Sequence, residues 1–135
     1  MVSQLELSDY LHHDFRMLAE GEHTLSFYFP GGGPQNALIT VNFLQANDGV
    51  QWVWLYSDLG DVANLERDFL LNLARKAHLD PRFGLTVGDL VPGMERAFFT
   101  SKLRLQSTDL RVFQNTLAAV AGQALEFGSV VYSVD

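Results

Sequence analysis

The chain has 135 residues, no cysteine and a net charge of −7 at neutral pH, and 47% of its residues are hydrophobic. This length fits one domain with a core of its own, so we predict a single domain over residues 1–135. The lack of cysteine excludes disulfide bonds, a thiolate nucleophile and a zinc–thiolate site. The acidic charge and the lack of a basic stripe argue against nucleic acid as a partner.

The first residues, MVSQLELSDYLHHDF, have neither the basic start nor the apolar core of a signal peptide. No run of the chain approaches the roughly 20 apolar residues that a membrane span needs. We therefore expect a soluble cytoplasmic protein. The charge is uneven, since residues 1–66 carry a net −8 and residues 67–135 a net +1.

A first helix is predicted near the N-terminus. Ser3 and Glu6 have the spacing of a capping box, in which each side chain satisfies a free backbone amide at the helix start. Leu7, Leu11, Phe15 and Leu18 follow with helical spacing, so we predict that this helix continues up to Gly21.

From His23 the apolar residues recur at every second position, which is typical of strands. The first strand has Leu25, Phe27 and Phe29 on one face, and it ends in the loop PGGGPQN. The second strand has Ile39, Val41 and Phe43 on one face. Its opposite face carries Leu38, Thr40, Asn42 and Leu44.

The third strand, VQWVWLYSDLGDV at residues 50–62, is apolar on both faces. A loop of two or four residues after the second strand would place Trp52 near Phe43 and Trp54 near Val41, in a core covered by helices. Val53 and Leu55 would then lie on the open face. A loop of three or five residues would reverse the two faces.

The remaining elements follow in clear order. Asp61 or Asn64 can cap a second helix, whose apolar arc is broad and leaves Leu71 outside it. GLTVGDLV and ERAFFTSKLRLQ predict two strands, and a clean apolar stripe from Leu110 to Leu125 predicts a third helix. We predict an α+β domain of order α-β-β-β-α-β-β-α, with a twisted antiparallel sheet packed by helices.

The search for reactive groups finds little. His12, His13 and Asp14 are consecutive and lack the spacing that lets two histidines share a metal. The glycines at 31–33 precede no helix and no Gly-Lys-Ser/Thr sequence, unlike those of a phosphate-binding loop. They therefore predict a flexible hairpin loop. We therefore predict no catalytic residue, no metal site and no cofactor.

The element order, the acidic charge and the segments WVWLYSDLGDV, LERDFLLNLARKAHL, FGLTV and FFTSKLRL resemble class I type III secretion chaperones, which hold bacterial effectors before export. The resemblance spans nearly the whole chain. The loop at 30–36 and the tail at 129–135 depart from the family pattern.

The resemblance implies a homodimer formed by the second helix and the strand after it. The residues expected at that interface are Leu65, Phe69, Leu71, Leu73, Leu85 and Val87. It also implies that the chain binds the N-terminal segment of a secreted effector in extended form. The residues predicted to contact this partner are Tyr28, Leu38, Thr40, Leu44, Val53 and Leu55.

Two other functions fit the sequence. A regulatory adaptor of the same fold would sequester a secretion-system regulator with the same kind of surface. A small α+β enzyme would need an enclosed pocket lined by titratable residues.

Overall fold

An antiparallel sheet with helices packed on it forms the body of the protein. The computed structural model describes residues 2–32, 34–80, 82–91, 93–126 and 131–132. The helices are α1 (Gln4–Asp14), α2 (Arg67–Leu79) and α3 (Leu110–Glu126). The strands are β1 (Arg16–Glu20), β2 (Thr24–Pro30), β3 (Gln35–Gln45), β4 (Gln51–Asp61), β5 (Phe83–Val91), β6 (Met94–Arg104) and β7 (Val131–Tyr132).

The spatial order of the strands is β1-β2-β3-β4-β6-β5, and β7 pairs with the start of β3. The predicted α+β class and the single domain are confirmed, with one more strand after α1 than the sequence indicated. The short β7 belongs to the tail at 129–135, of which the other residues lie outside the described part of the chain. Gly33, in the predicted flexible loop, also lies outside it.

α1 begins as predicted and ends earlier. The Ser3 hydroxyl accepts from the Glu6 amide at 3.1 Å, which is half of the expected capping box. The helix ends at Asp14, and the prediction that it reaches Gly21 is wrong, because the chain turns back and pairs as β1 with β2. Met17 then faces Phe27 in the strand pair, while Leu18, assigned to the helical stripe, is 51% exposed.

One face of the sheet, called the inner face here, carries the core. Leu7 and Leu11 of α1, Leu73 of α2 and the stripe of α3 pack there in one cluster with the strand side chains. α3 contacts β3, β4 and β6, and α2 contacts β5. The large side chains with under 2% exposure are Phe27, Phe99, Phe113, Leu7, Leu11, Ile39, Leu55, Leu73, Leu117, Val41, Val53 and Val120.

The β3–β4 hairpin has the register that reverses the predicted faces. Gln45 and Gln51 are the last paired residues, so the five residues at 46–50 connect the strands. Gly49 ends the turn with a φ of +84°, which glycine adopts without steric cost. The odd loop length sets Val53 opposite Phe43, and the prediction that the tryptophans lie in the core is wrong.

A bulge bends β4 near its end. The register with β6 shifts between Asp58 and Gly60, and Gly60 has a φ of +104°. The Asp58 carboxylate accepts from the Gly60 amide at 2.9 Å and forms a forked ion pair with Arg96, whose Nη2 lies 2.9 Å from Asp58 Oδ1. These contacts fix the bulge, so β4 can follow β6 beyond its pairing with β3.

The predicted cap of the second helix is only partly right. The Asp61 side chain accepts from the Ala63 amide at 3.0 Å, but it caps a 3₁₀ turn at Val62–Asn64. α2 begins after Glu66, which makes no side-chain capping bond. α3, β5 and β6 match their predictions closely.

Candidate functional site

The face of the sheet opposite the core, called the outer face here, is the candidate site. Its side chains alternate with the buried ones along β2, β3, β4 and β6. The outer-face residues that matter below are Tyr28, Leu38, Thr40, Leu44, Trp52, Trp54, Tyr56, Phe98, Lys102 and Arg104. None of them belongs to the core cluster into which the helices pack.

Aromatic side chains run across the centre of the outer face. The Trp54 and Tyr56 rings lie 5.7 Å apart, and Tyr56 meets the ring of Phe98 edge to face at 6.1 Å. All three residues are half-buried, and so is Trp52. Such rings offer a large apolar area that a partner can cover at little cost in side-chain entropy.

Two depressions flank Trp52. The first lies on the outer face and has a volume of about 420 Å³, with walls from Leu44, Trp52, Trp54 and Lys102. The second, of about 340 Å³, lies round the end of the β3–β4 hairpin and reaches Gln4 of α1. Leu44, which lines both, is 42% exposed. These depressions can receive apolar side chains of a bound segment.

Polar groups beside the aromatic residues are paired with each other. The hydroxyls of Ser26 and Thr40 lie 2.9 Å apart, and the Thr24 hydroxyl donates to Asn42 at 2.9 Å. Burial raises the pKa of the Tyr56 phenol, while the neighbouring Asn42 amide lowers it. The β2–β3 half of the outer face therefore has few polar side-chain groups left unsatisfied.

Four of the six predicted contact residues lie on the outer face: Tyr28, Leu38, Thr40 and Leu44. The other two predictions are wrong, because Val53 and Leu55 are fully buried in the core. Their places on this face are taken by Trp52 and Trp54, which the sequence analysis assigned to the core, and by Tyr56. The Asp48-Gly49 pair was the available signal. It ends the three-residue turn at 47–49, which the bond from the Ala46 amide to the Val50 carbonyl closes within the five-residue connection, and either count is odd.

The predicted interface on α2 and β5 is partly accessible. Leu71 is 40% exposed and Val87 is 50% exposed. Leu65, Phe69 and Leu85 are half-buried against the core. Leu73 has no exposed surface, so its assignment as a dimer contact is wrong: it faces the sheet within its own chain.

Titratable groups form pairs near α1. His12 lies 2.7 Å from Glu20, and His13 lies 2.7 Å from Asp14. Within the described ranges, no three histidine, aspartate or glutamate side chains lie close enough together to hold a metal ion.

No helix in the described part of the chain is long and apolar enough to cross a membrane.

Comparisons of the chain with protein-family models, with curated proteins and with solved structures find no match.

Proposed function

We propose that this protein is a chaperone that holds an extended segment of another polypeptide on its outer face. In the form that the sequence resemblance implies, the partner is the N-terminal segment of a type III secretion effector, kept soluble and export-competent in a bacterial cytoplasm. One observation carries this function: both tryptophans, Tyr56 and Phe98 lie on the face of the sheet that no core-forming helix covers.

Two tryptophans, a tyrosine and a phenylalanine on the outer face keep part of their ring surface in water, and this exposed part does not stabilise the fold. Burying each aromatic side chain removes about 150–250 Å² from solvent, worth about 25 cal/mol per Å² of apolar surface. A contiguous aromatic surface of this kind marks an interaction site. The core on the inner face is already complete, so a partner can cover the outer face without disturbing the fold.

An extended segment suits this surface better than a globular partner does. The outer face is a sheet with alternating rows of side chains, and its depression between Leu44, Trp52 and Trp54 has room for an apolar side chain. An extended chain presents every second side chain to such a surface and can place them in successive pockets. The partner would remain unfolded while bound, because its apolar groups pack on the chaperone instead of on each other.

The same proposal includes a homodimer through α2 and β5. β5 is an edge strand of the sheet, and α2 packs on it. Exposed apolar side chains occur on both elements: Leu71, Leu79 and Val87 are 40%, 82% and 50% exposed. Pairing of two copies would cover this apolar surface and leave both outer faces open.

Affinity capture from the native bacterium tests the function. We expect the protein to capture an exported polypeptide whose isolated N-terminal segment also binds the purified protein. The double variant W54A/Y56A should lose both interactions, and V112A should keep them, because Val112 is exposed on α3. A transcription regulator as the captured partner would support the adaptor alternative instead. Capture that does not depend on Trp54 and Tyr56 would contradict the proposed site.

A further inference from the structure

The outer face differs in charge from the rest of the chain. The protein has a net charge of −7, and residues 1–66 contain a single basic residue, Arg16. On β6, however, two basic side chains, Lys102 and Arg104, lie beside the two tryptophans of β4. They are exposed and project on the outer face, so a ligand on this face meets positive charge first.

These two cations have no acidic partner in the described part of the chain. Lys102 has its ammonium nitrogen 4.2 Å from the centre of the Trp54 ring and lines the 420 Å³ depression. Arg104 pairs in register with Trp52. Neither side chain forms an ion pair with any described residue, although the chain holds 16 acidic residues.

The acidic residue that β4 places on the outer face is already neutralised. Asp58 lies on the outer face of β4, and its carboxylate takes a forked ion pair from Arg96. The side chains of Arg96 and Asp58 are 30% and 18% exposed. Asp58 therefore does not compensate Lys102 and Arg104, whose charge is left for a ligand.

We propose that the segment bound on the outer face is acidic, with aspartate or glutamate beside large apolar residues. This inference rests on the proposed function and names the chemistry of its partner. An apolar side chain would fill the depression between Leu44, Trp52 and Trp54, and a neighbouring carboxylate would pair with Lys102. Oppositely charged groups on the two partners also raise the association rate and exclude wrong partners.

The spacing of the cations predicts the spacing of the acids. Lys102 and Arg104 are two residues apart on β6, which is about 6.6 Å along a strand. An extended segment repeats its side chains on one face with the same spacing. We expect acidic residues at positions i and i+2 of the bound segment, because they match the two cations in register.

Selection from a random dodecapeptide library on the purified protein tests this inference. The wild-type protein should enrich peptides with acidic residues at positions i and i+2 and a large apolar residue two positions before or after that pair. The variant K102E/R104E should lose this preference or favour basic peptides, and R111E, which reverses an exposed charge on α3, should keep it. An enriched peptide should bind the K102E/R104E variant at least roughly tenfold more weakly than it binds the wild-type protein. The analogue of this peptide with Glu→Gln changes should bind the wild-type protein more weakly by the same factor.

The outcomes separate the inference from the function on which it rests. Enriched peptides that need Trp54 but carry no acidic excess would overturn the acidic partner and leave the binding face standing. Peptides that bind W54A and the wild type equally, or no enrichment at all, would overturn both. Tighter binding of a single-stranded oligothymidine than of any peptide would identify nucleic acid as the occupant, and would also overturn the acidic segment.

Discussion

Leu55 lies directly opposite Val41 across the β3–β4 pair, and neither side chain has exposed surface. Replacement of Leu55 by alanine should lower the free energy of unfolding by about 2–5 kcal/mol, because a buried leucine leaves a cavity. Leu44→Ala makes the same chemical change on the outer face, where the side chain is 42% exposed, and should cost less than about 1 kcal/mol. Urea denaturation measures both.

This pair of variants tests the hairpin register itself. The alternative register would put Leu55 on the open face, and Leu55→Ala would then cost as little as Leu44→Ala. Two small and similar losses would contradict the arrangement described above. Binding of the partner is a separate measurement, since Leu55 does not reach the outer face.

The sequence predicted the elements better than it predicted their faces. β3 has apolar residues on one side and mixed ones on the other, so Ile39, Val41 and Phe43 could be assigned to the core from their spacing alone. β4 is apolar on both sides, and the larger tryptophans favoured the wrong face. Whether the connecting loop has an odd or even number of residues decides the register, and hydrophobic spacing carries no such information.

β1 was missed for a related reason. Phe15 and Leu18 continue the helical spacing of Leu7 and Leu11, so local periodicity extended α1 to Gly21. The competing structure is a pairing with β2, which depends on contacts made after the chain has turned back. The element order on which the resemblance to secretion chaperones rests has no strand at this position. The resemblance therefore did not correct the predicted end of α1.

Ser57 has a fully buried hydroxyl with no hydrogen-bond partner among the described residues. Ser57→Ala removes a polar group that lost its water on folding, and should raise the free energy of unfolding by about 1 kcal/mol. Ser101 provides the matched control. Its hydroxyl is as deeply placed but donates to the Arg82 carbonyl at 2.7 Å, so Ser101→Ala should lower stability by about 1 kcal/mol.

Thermal and urea denaturation should show changes of opposite sign in the free energy of unfolding of the two serine variants, a gain for Ser57→Ala and a loss for Ser101→Ala. A loss of stability in Ser57→Ala equal to that in Ser101→Ala would mean that the Ser57 hydroxyl is satisfied in solution. Both positions lie on the inner face, so neither change should alter partner binding.

His12 joins the end of α1 to β1. Its Nδ1 lies 2.7 Å from the Ser8 carbonyl, and its Nε2 lies 2.7 Å from the Glu20 carboxylate. Both neighbours are acceptors, so the protonated ring donates to each, and the two contacts raise the pKa of His12 above its ordinary 6.5. The stabilisation is complete below pH 6.5 and is lost as the pH rises through the raised folded-state pKa.

Titration of the His12 ring signals by NMR measures this effect. Glu20→Gln should lower the pKa of His12 towards 6.5, because it removes the charged acceptor. Glu22→Gln, which changes an acid near His23, should leave it unchanged. The effect on stability should be small, because the His12 side chain is 41% exposed and water screens the pair. An unchanged pKa of His12 in the Glu20→Gln variant would contradict the position of β1 beside the end of α1.

The exposed apolar side chains of α2 and β5 predict a dimer in solution. Light scattering at micromolar concentration should give twice the 15.1 kDa of one chain. Leu71→Glu should give single chains with an unchanged circular dichroism spectrum, because Leu71 is 40% exposed and a charge there disrupts only a contact between copies. Leu110→Glu makes the same change at a 38% exposed site on α3 and should leave the dimer intact.

A mass of 15.1 kDa for the unmodified chain would contradict the dimer. If Leu71→Glu and Leu110→Glu dissociate the dimer equally, the interface does not lie on α2 and β5.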